Sequence, residues 1–181
     1  FNFAKYLGLY NNEEFFFLGS LHDIGKIRIN SSLLNKKGKL SESEFAQLKK
    51  HTLYGQQIIK NTQYVPQYFH EVILLHHENV DGSGYFSKKE KEIPFLSRII
   101  RIIDSYDTML NGRSYQSPIR HNDVMKELHS LSNIHYDKEL IHHFSNYQEW
   151  KALHSFTTEI SVLKKLEPFV MDGSRSDLNG R

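Results

Sequence analysis

Cysteine is absent from the 181 residues, so the chain carries no disulfide framework and no thiolate metal site. Apolar runs are short, and none approaches the length that a membrane span requires. Strong net charge is missing too: a formal +2 is too small to argue for nucleic-acid or membrane-surface binding. Internal repeats, linkers and useful runs of strand-like alternation are equally lacking. The opening FNFAKYLGLY is not a signal peptide but reads as the middle of an amphipathic helix. A natural N-terminus further upstream is therefore expected, and the lack of cysteine fits a cytoplasmic location. What is present is ordinary for a globular protein, with 39% hydrophobic and 24% charged residues, and a length suited to one domain over 1–181.

The spacing of apolar residues predicts helices throughout. Residues 1–9 look helical, and Asn11 or Asn12 is placed to cap the next helix, with Glu13 and Glu14 in its first turn. Phe15, Phe16, Phe17, Leu18, Leu21 and Ile24 make that helix apolar nearly all round, which predicts burial, with Gly25 as its C-terminal glycine. A loop is expected over 30–38. Ser41 to Glu44 forms a capping-box pattern ahead of a helix that carries His51. Tyr64 to Asn79 reads as a further helix ending near His76 and His77. The Asp81-Gly82-Ser83-Gly84 sequence is a turn, and 88–92 a solvated loop. Pro94 suits the first turn of a long central helix reaching about Asn111, with Asp104 and Asp107 on one face. Helices follow near 121–132, 137–147 and 148–166, and 171–181 reads as a frayed tail. The expected fold is all-α, a helical bundle with a metal centre in its core.

Inside these apolar segments stand His22, Asp23, His51, His76, His77 and Asp104, contributed by four helices. Bundle-core metal sites are built in this way. Neutral imidazoles and carboxylates without sulfur suit iron, manganese, cobalt or zinc, and ligand type alone does not choose among them. If Asp23 bridges, His51, His76 and His77 complete one ion while His22 and Asp104 hold the other. Two ions about 3.5–4 Å apart clamp a phosphate and acidify a bound water. Singly, each residue has a plainer reading. A buried histidine is most often a hydrogen-bonded core residue. The pair His76-His77 suits a helix C-terminus, and Asp104 suits an ion pair with Arg98 or Arg101. Six in order, joined to His22-Asp23-Ile24-Gly25-Lys26 and an Asp-Gly-Ser-Gly-Tyr turn, outweigh those readings. His70, His121, His129, His135, His142, His143 and His154 fall outside this set and read as surface or helix-end residues. Glu78 and Asp107 stand between, as orienters of ligands or as cap and salt-bridge residues.

These motifs resemble the HD-GYP family, a branch of the HD phosphohydrolase superfamily. Leu21-His22-Asp23-Ile24-Gly25-Lys26 is similar to its metal-binding signature. Lys49-Lys50-His51 with Gly55 resembles the next histidine motif. His76-His77-Glu78 with Asp81-Gly82-Ser83-Gly84-Tyr85 resembles the motif that names the family, and Ile93-Pro94 follows. Arg98-Ile99-Ile100 through Asp104 to Asp107, then Arg113-Ser114-Tyr115, resembles the central helix and its exit, and Tyr136-Asp137 echoes a late aromatic-Asp pair. The resemblance implies hydrolysis of cyclic di-GMP to pGpG, sometimes on to GMP, at a di- or trinuclear, often iron, centre. It makes His22, Asp23, His51, His76, His77 and Asp104 ligands, with Asp23 bridging. Asp23 and Lys26 become the catalytic pair, and Lys26, Arg113 and Tyr85 become substrate contacts. Two divalent ions are expected and a third is not, since the family's further His and Glu fall before Phe1. A regulatory domain upstream and a protein partner at the turn 81–86 are implied as well.

The chain also departs from the pattern. Phe86 stands where the family has proline, 87–92 lacks the usual glycines, and Gln116 replaces a basic residue. These positions motivate two alternatives to cyclic di-GMP hydrolysis. One is a non-catalytic signalling module that binds a cyclic dinucleotide or a protein, and the other is an enzyme for a different cyclic dinucleotide such as cyclic GMP-AMP.

Overall fold

In the computed structural model, residues 2–9, 12–60, 62–112 and 117–154 are described. Among them are helices and connections but no strand, only an isolated bridge between Ser132 and Tyr136. The chain divides into two compact units, Phe1–His143 and Phe144–Arg181. The first carries α1 (Asn2–Tyr6), α2 (Asn12–Leu21), a 3-10 turn (Ile24–Arg28), α3 (Ser31–Leu34), α4 (Glu42–Lys60), α5 (Phe69–Leu75), α6 (Phe95–Asn111) and α7 (His121–Ser130). A last helix, α8, runs over 138–154, and the division between the units falls inside it.

Local chemistry explains most of the boundaries. At the start of α4 the Glu44 carboxylate accepts from the Ser41 N–H at 2.7 Å, and the Ser41 hydroxyl accepts from the Glu44 N–H at 3.3 Å. This reciprocal pair satisfies two amides that helix geometry leaves without partners. Pro94 precedes α6, and Gly112 closes it at φ 74°, where a side chain would be strained. Within the first unit α4 packs on the 3-10 turn and on α5, and α6 packs on α5 and α7. Leu18, Phe69, Ile73, Ile99, Ile102, Val124 and Leu128 are buried between them. Each of these larger side chains contributes about 1.5–3 kcal/mol by leaving water.

Four expectations need correction. Helix α5 begins at Phe69, not near Tyr64, because Pro66 has no N–H to donate and disfavours helical backbone before it. The loop expected over 30–38 contains α3, whose first turn is capped by the Asn30 side chain accepting from the Ser32 N–H. The two helices expected after 137 are one over the described residues. Finally, α2 is not buried all round: Phe15 and Leu18 face the core, whereas Phe16 is 62% and Phe17 45% exposed. Its apolar run exceeds what one buried face can use.

Gly25 also plays another part than the capping one. It lies inside the 3-10 turn, and a Cβ there would stand 1.8 Å from the His51 carbonyl oxygen and 2.4 Å from the Gly55 nitrogen. The turn thus rests backbone to backbone on α4, a contact only glycine permits. Replacing Gly25 with alanine is expected to cost about 3 kcal/mol through overpacking that no rotamer can relieve. Urea denaturation checks this as a lower midpoint at unchanged slope.

Candidate metal centre

The end of α2 delivers His22 and Asp23, the middle of α4 His51, the end of α5 His76 and His77, and the middle of α6 Asp104. Ligating atoms of Asp23, His51, His76 and His77 all lie within 4.8 Å of one another, and so do those of His22, Asp23 and Asp104. The structure therefore brings together all six residues singled out in the sequence, in two groups that share Asp23. Imidazole centroids are 4.1 Å apart for His76 and His77, 5.1 Å for His51 and His77, and 5.2 Å for His22 and His76.

Three of the rings are oriented by the same device. The Nδ1 of His22, His51 and His76 lies 2.6, 2.7 and 2.7 Å from the backbone oxygen of Gly19, Leu48 and Ile73, three residues back in each case. A carbonyl only accepts, so Nδ1 carries the hydrogen and Nε2 presents its lone pair inward. Asp23 Oδ1 stands 3.2 Å from His51 Nε2 and 3.9 Å from His76 Nε2, and Oδ2 stands 3.3 Å from His22 Nε2. Yet Nε2 of all three histidines, and Oδ1 of Asp23, are buried without any hydrogen-bond partner. Buried polar atoms nearly always find partners. Acceptors converging on Asp23 from both groups fit cations held there, and the oxygen and nitrogen donor set suits a divalent metal.

The protonation states agree. Burial pushes His76 down to about 3, helped by the neighbouring His22. Burial, with His76 and His51 close by, holds His77 well below its ordinary value. Both imidazoles are neutral at any physiological pH. Burial works against the charge of Asp23 as well, but contacts from His22 and His51 and the nearby Lys26 outweigh it and keep the carboxyl well below the usual range. Asp23 in turn raises His22 despite burial, so a proton would compete with any cation for that nitrogen.

The cluster opens on two sides. A cavity of about 370 Å³ is lined by Lys26, Lys39, Leu48, His51, His77 and Tyr85 among others. On the other side a cavity of about 300 Å³ is lined by Phe15, Phe16, His22, Ile100, Asp104 and Asp107 among others. Lys26 bonds to Asp23 Oδ2 at the edge of the first. Tyr85 lies against His77 with centroids 4.9 Å apart. Arg113 and Gln116 lie outside the described residues. Neither arginine weighed as a partner for Asp104 bonds to it. Arg98 pairs with Asp137 and Glu90, and Arg101 donates to Asn79 and Ser105. Of the histidines set aside, His121, His129, His142, His143 and His154 are exposed, and His70 and His135 are intermediate.

Glu78, which by sequence alone suits either an orienter of ligands or a cap, has a specific place. Its carboxylate is buried and accepts from the N–H groups of Phe86 and Lys88, both at 2.7 Å. Gly84 fits beneath, because a Cβ there would come within 2.5 Å of Glu78 Cα. Glu78 thus bolts the turn that carries Tyr85 to the segment that carries His76 and His77. The signal available was an acid directly after the histidine pair and before a glycine-rich turn with amides to satisfy.

A family model described as HD domain matches residues 3–140. A cyclic di-GMP phosphodiesterase of Thermotoga maritima is 39% identical over 130 residues, covering 71% of this chain and 35% of the relative. A 3'3'-cGAMP-specific phosphodiesterase of Vibrio cholerae is 36% identical over 123 residues, covering 67% of this chain and 24% of the relative. The chain thus spans about a third or less of the length of these curated relatives. Among solved structures, an HDG"Y"P protein from Bdellovibrio bacteriovorus superposes with a TM-score of 0.64 at 21% identity, over 81% of this chain and 48% of that one. That likeness concerns the fold.

Replacing Glu78 with alanine is expected to leave the Phe86 and Lys88 amides without acceptors and to destabilise the protein by about 2–3 kcal/mol. Hydrogen exchange at those two amides should accelerate while exchange in α6 is unchanged.

Proposed function

Because the chain belongs to the HD domain family, we propose that it is a metal-dependent phosphodiesterase of the HD-GYP type that hydrolyses cyclic di-GMP to linear pGpG. The reading takes the 181 residues as one such domain acting in the cytoplasm, with a regulatory domain upstream of it in the natural chain. The observation that carries it is the convergence of four buried, unpartnered acceptor atoms from His22, Asp23, His51 and His76. No helix among the described residues is long and apolar enough to cross a membrane.

In this reading Asp23 would be shared by two ions, with His51, His76 and His77 holding one and His22 and Asp104 the other. Iron is the metal the family resemblance favours, with manganese, cobalt or zinc compatible with the same donors. When bound, the pair of ions supplies Lewis-acid polarisation of the phosphodiester and an acidified water as nucleophile. The protein does the rest. The three backbone-bonded imidazoles hold Nε2 aimed inward before anything binds, and burial keeps that of His76 unprotonated. Lys26, on the wall of the larger cavity, brings an ammonium to the phosphate and offsets charge developing on its oxygens. Arg113 grips the second phosphate, a task that suits a planar guanidinium with paired donors. Tyr85 closes the same cavity beside His77.

The relatives include enzymes named for cyclic di-GMP and for 3'3'-cGAMP, so a cyclic GMP-AMP substrate is the near alternative. Incubating the metal-loaded full chain with each dinucleotide decides between them, with pGpG formed from cyclic di-GMP as the expected product. Binding without turnover of either one, under aerobic and reducing conditions, would instead favour a signalling module. The shared ligand has its own test. Asp23→Asn is expected to lose both ions by elemental analysis together with all hydrolysis, whereas retention of both with full activity would refute the bridge.

A further inference from the structure

One wall of the 370 Å³ cavity carries groups that the proposed chemistry leaves unused. Phe45 stands near the start of α4 and is 42% exposed, although it lines the same cavity as His51, His77 and Lys26. Lys49, one turn later on the same face, places its ammonium 4.9 Å from the Phe45 centroid and 4.9 Å from the Tyr85 centroid. The two rings meet edge to face, with centroids 5.9 Å apart and planes at 89°. Shared cation–π attraction and the ring quadrupoles favour this corner over separate, freely rotating side chains. Tyr85 tilts in turn onto His77, so the corner is continuous with the metal cluster.

The cavity is therefore lined both by the cations of Lys26 and Lys39 and by an exposed aromatic ring. The ligand complementary to both is a phosphate joined to a planar heterocycle, which is a nucleotide. We propose that Phe45 is a stacking platform for one base of the cyclic dinucleotide, its ring held at the required angle by Lys49 and Tyr85. The inference rests on the phosphodiesterase reading and names which side of the cluster receives a base. A stack accepts any base through its π face, so Phe45 contributes affinity and orientation and leaves base discrimination to other groups.

The simplest competing role is apolar: Phe45 pinning the Tyr85 turn onto α4. Phe45→Leu keeps an apolar side chain for that purpose and removes the π face, whereas Phe45→Trp keeps the face. In the metal-loaded full chain, F45L is expected to raise KM for cyclic di-GMP about tenfold, and F45W to restore it. A cyclic dinucleotide carrying 2-aminopurine in place of one base supplies a second readout. Its fluorescence should be quenched within the mixing phase by the wild type and by F45W, but not by F45L. Equal KM and equal quenching in wild type and F45L would overturn the platform, as would no quenching by the wild type. If the wild type quenches but does not hydrolyse, the phosphodiesterase reading fails and the platform is judged by the quenching of F45L alone. Matching thermal unfolding of the three proteins would show that the loss is not one of folding.

Discussion

Everything in the first unit turns on an electrostatic conflict. Asp23 brings two carboxylate oxygens to a point where three imidazole nitrogens present lone pairs, and the fold buries them there. Without a positive charge among them these atoms repel, and burial removes the water that would screen them. The ammonium of Lys26 answers one oxygen only. Stability elsewhere must therefore hold the cluster together against its own chemistry, which is how a site preorganised for cations is made.

The means are backbone groups. Each of His22, His51 and His76 is fixed by a carbonyl of its own preceding turn, so the helix that supplies the residue also sets its tautomer. The turn over 81–88 is treated the same way in reverse, with the Glu78 carboxylate collecting two amides. It is tied again through Asn79, which accepts from Arg101 of α6 and donates to Ser83, whose hydroxyl bonds to Asp81. Tyr85 thus reaches the cluster on a rigid mount, although it belongs to a connection and not to a helix.

What could be read from the sequence follows from the range of the forces concerned. The capping box at Ser41 and Glu44, the turn at Asp81 to Gly84 and the start of α6 after Pro94 are decided by neighbours in the chain, and the residues state them. The grouping of His22, Asp23, His51, His76, His77 and Asp104 was legible because ligand chemistry restricts residue type so strongly. Exposure of Phe16 and Phe17 was not, because an apolar run does not say how many faces the fold will cover. The part played by Glu78 was hidden too, since its partners return eight and ten residues later through a turn of unforeseeable path. Gly25 looked like a helix end by its position. Only the approach of α4 shows that it serves a contact.

That contact bears on the two halves of the cluster differently. Gly25 touches the backbone of His51 itself, and Gly55, one turn on, lets Ile73 of α5 come close from the other side. The segments carrying Asp23 and His51 are therefore locked by backbone packing that tolerates no added methyl group, and α5 is held close to them through the Ile73 side chain. His22 and Asp104 meet across α2 and α6, at a cavity of about 300 Å³ and beside the exposed Phe16. Close-packed interiors deform little, whereas a site beside open space can adjust. His51 and His77 also line open space, so it is the Gly25 contact at the backbone of His51 that makes the three-histidine group the more rigid half and the pair His22 and Asp104 the more adjustable one. Asp23, common to both, transmits the geometry of the first to the second.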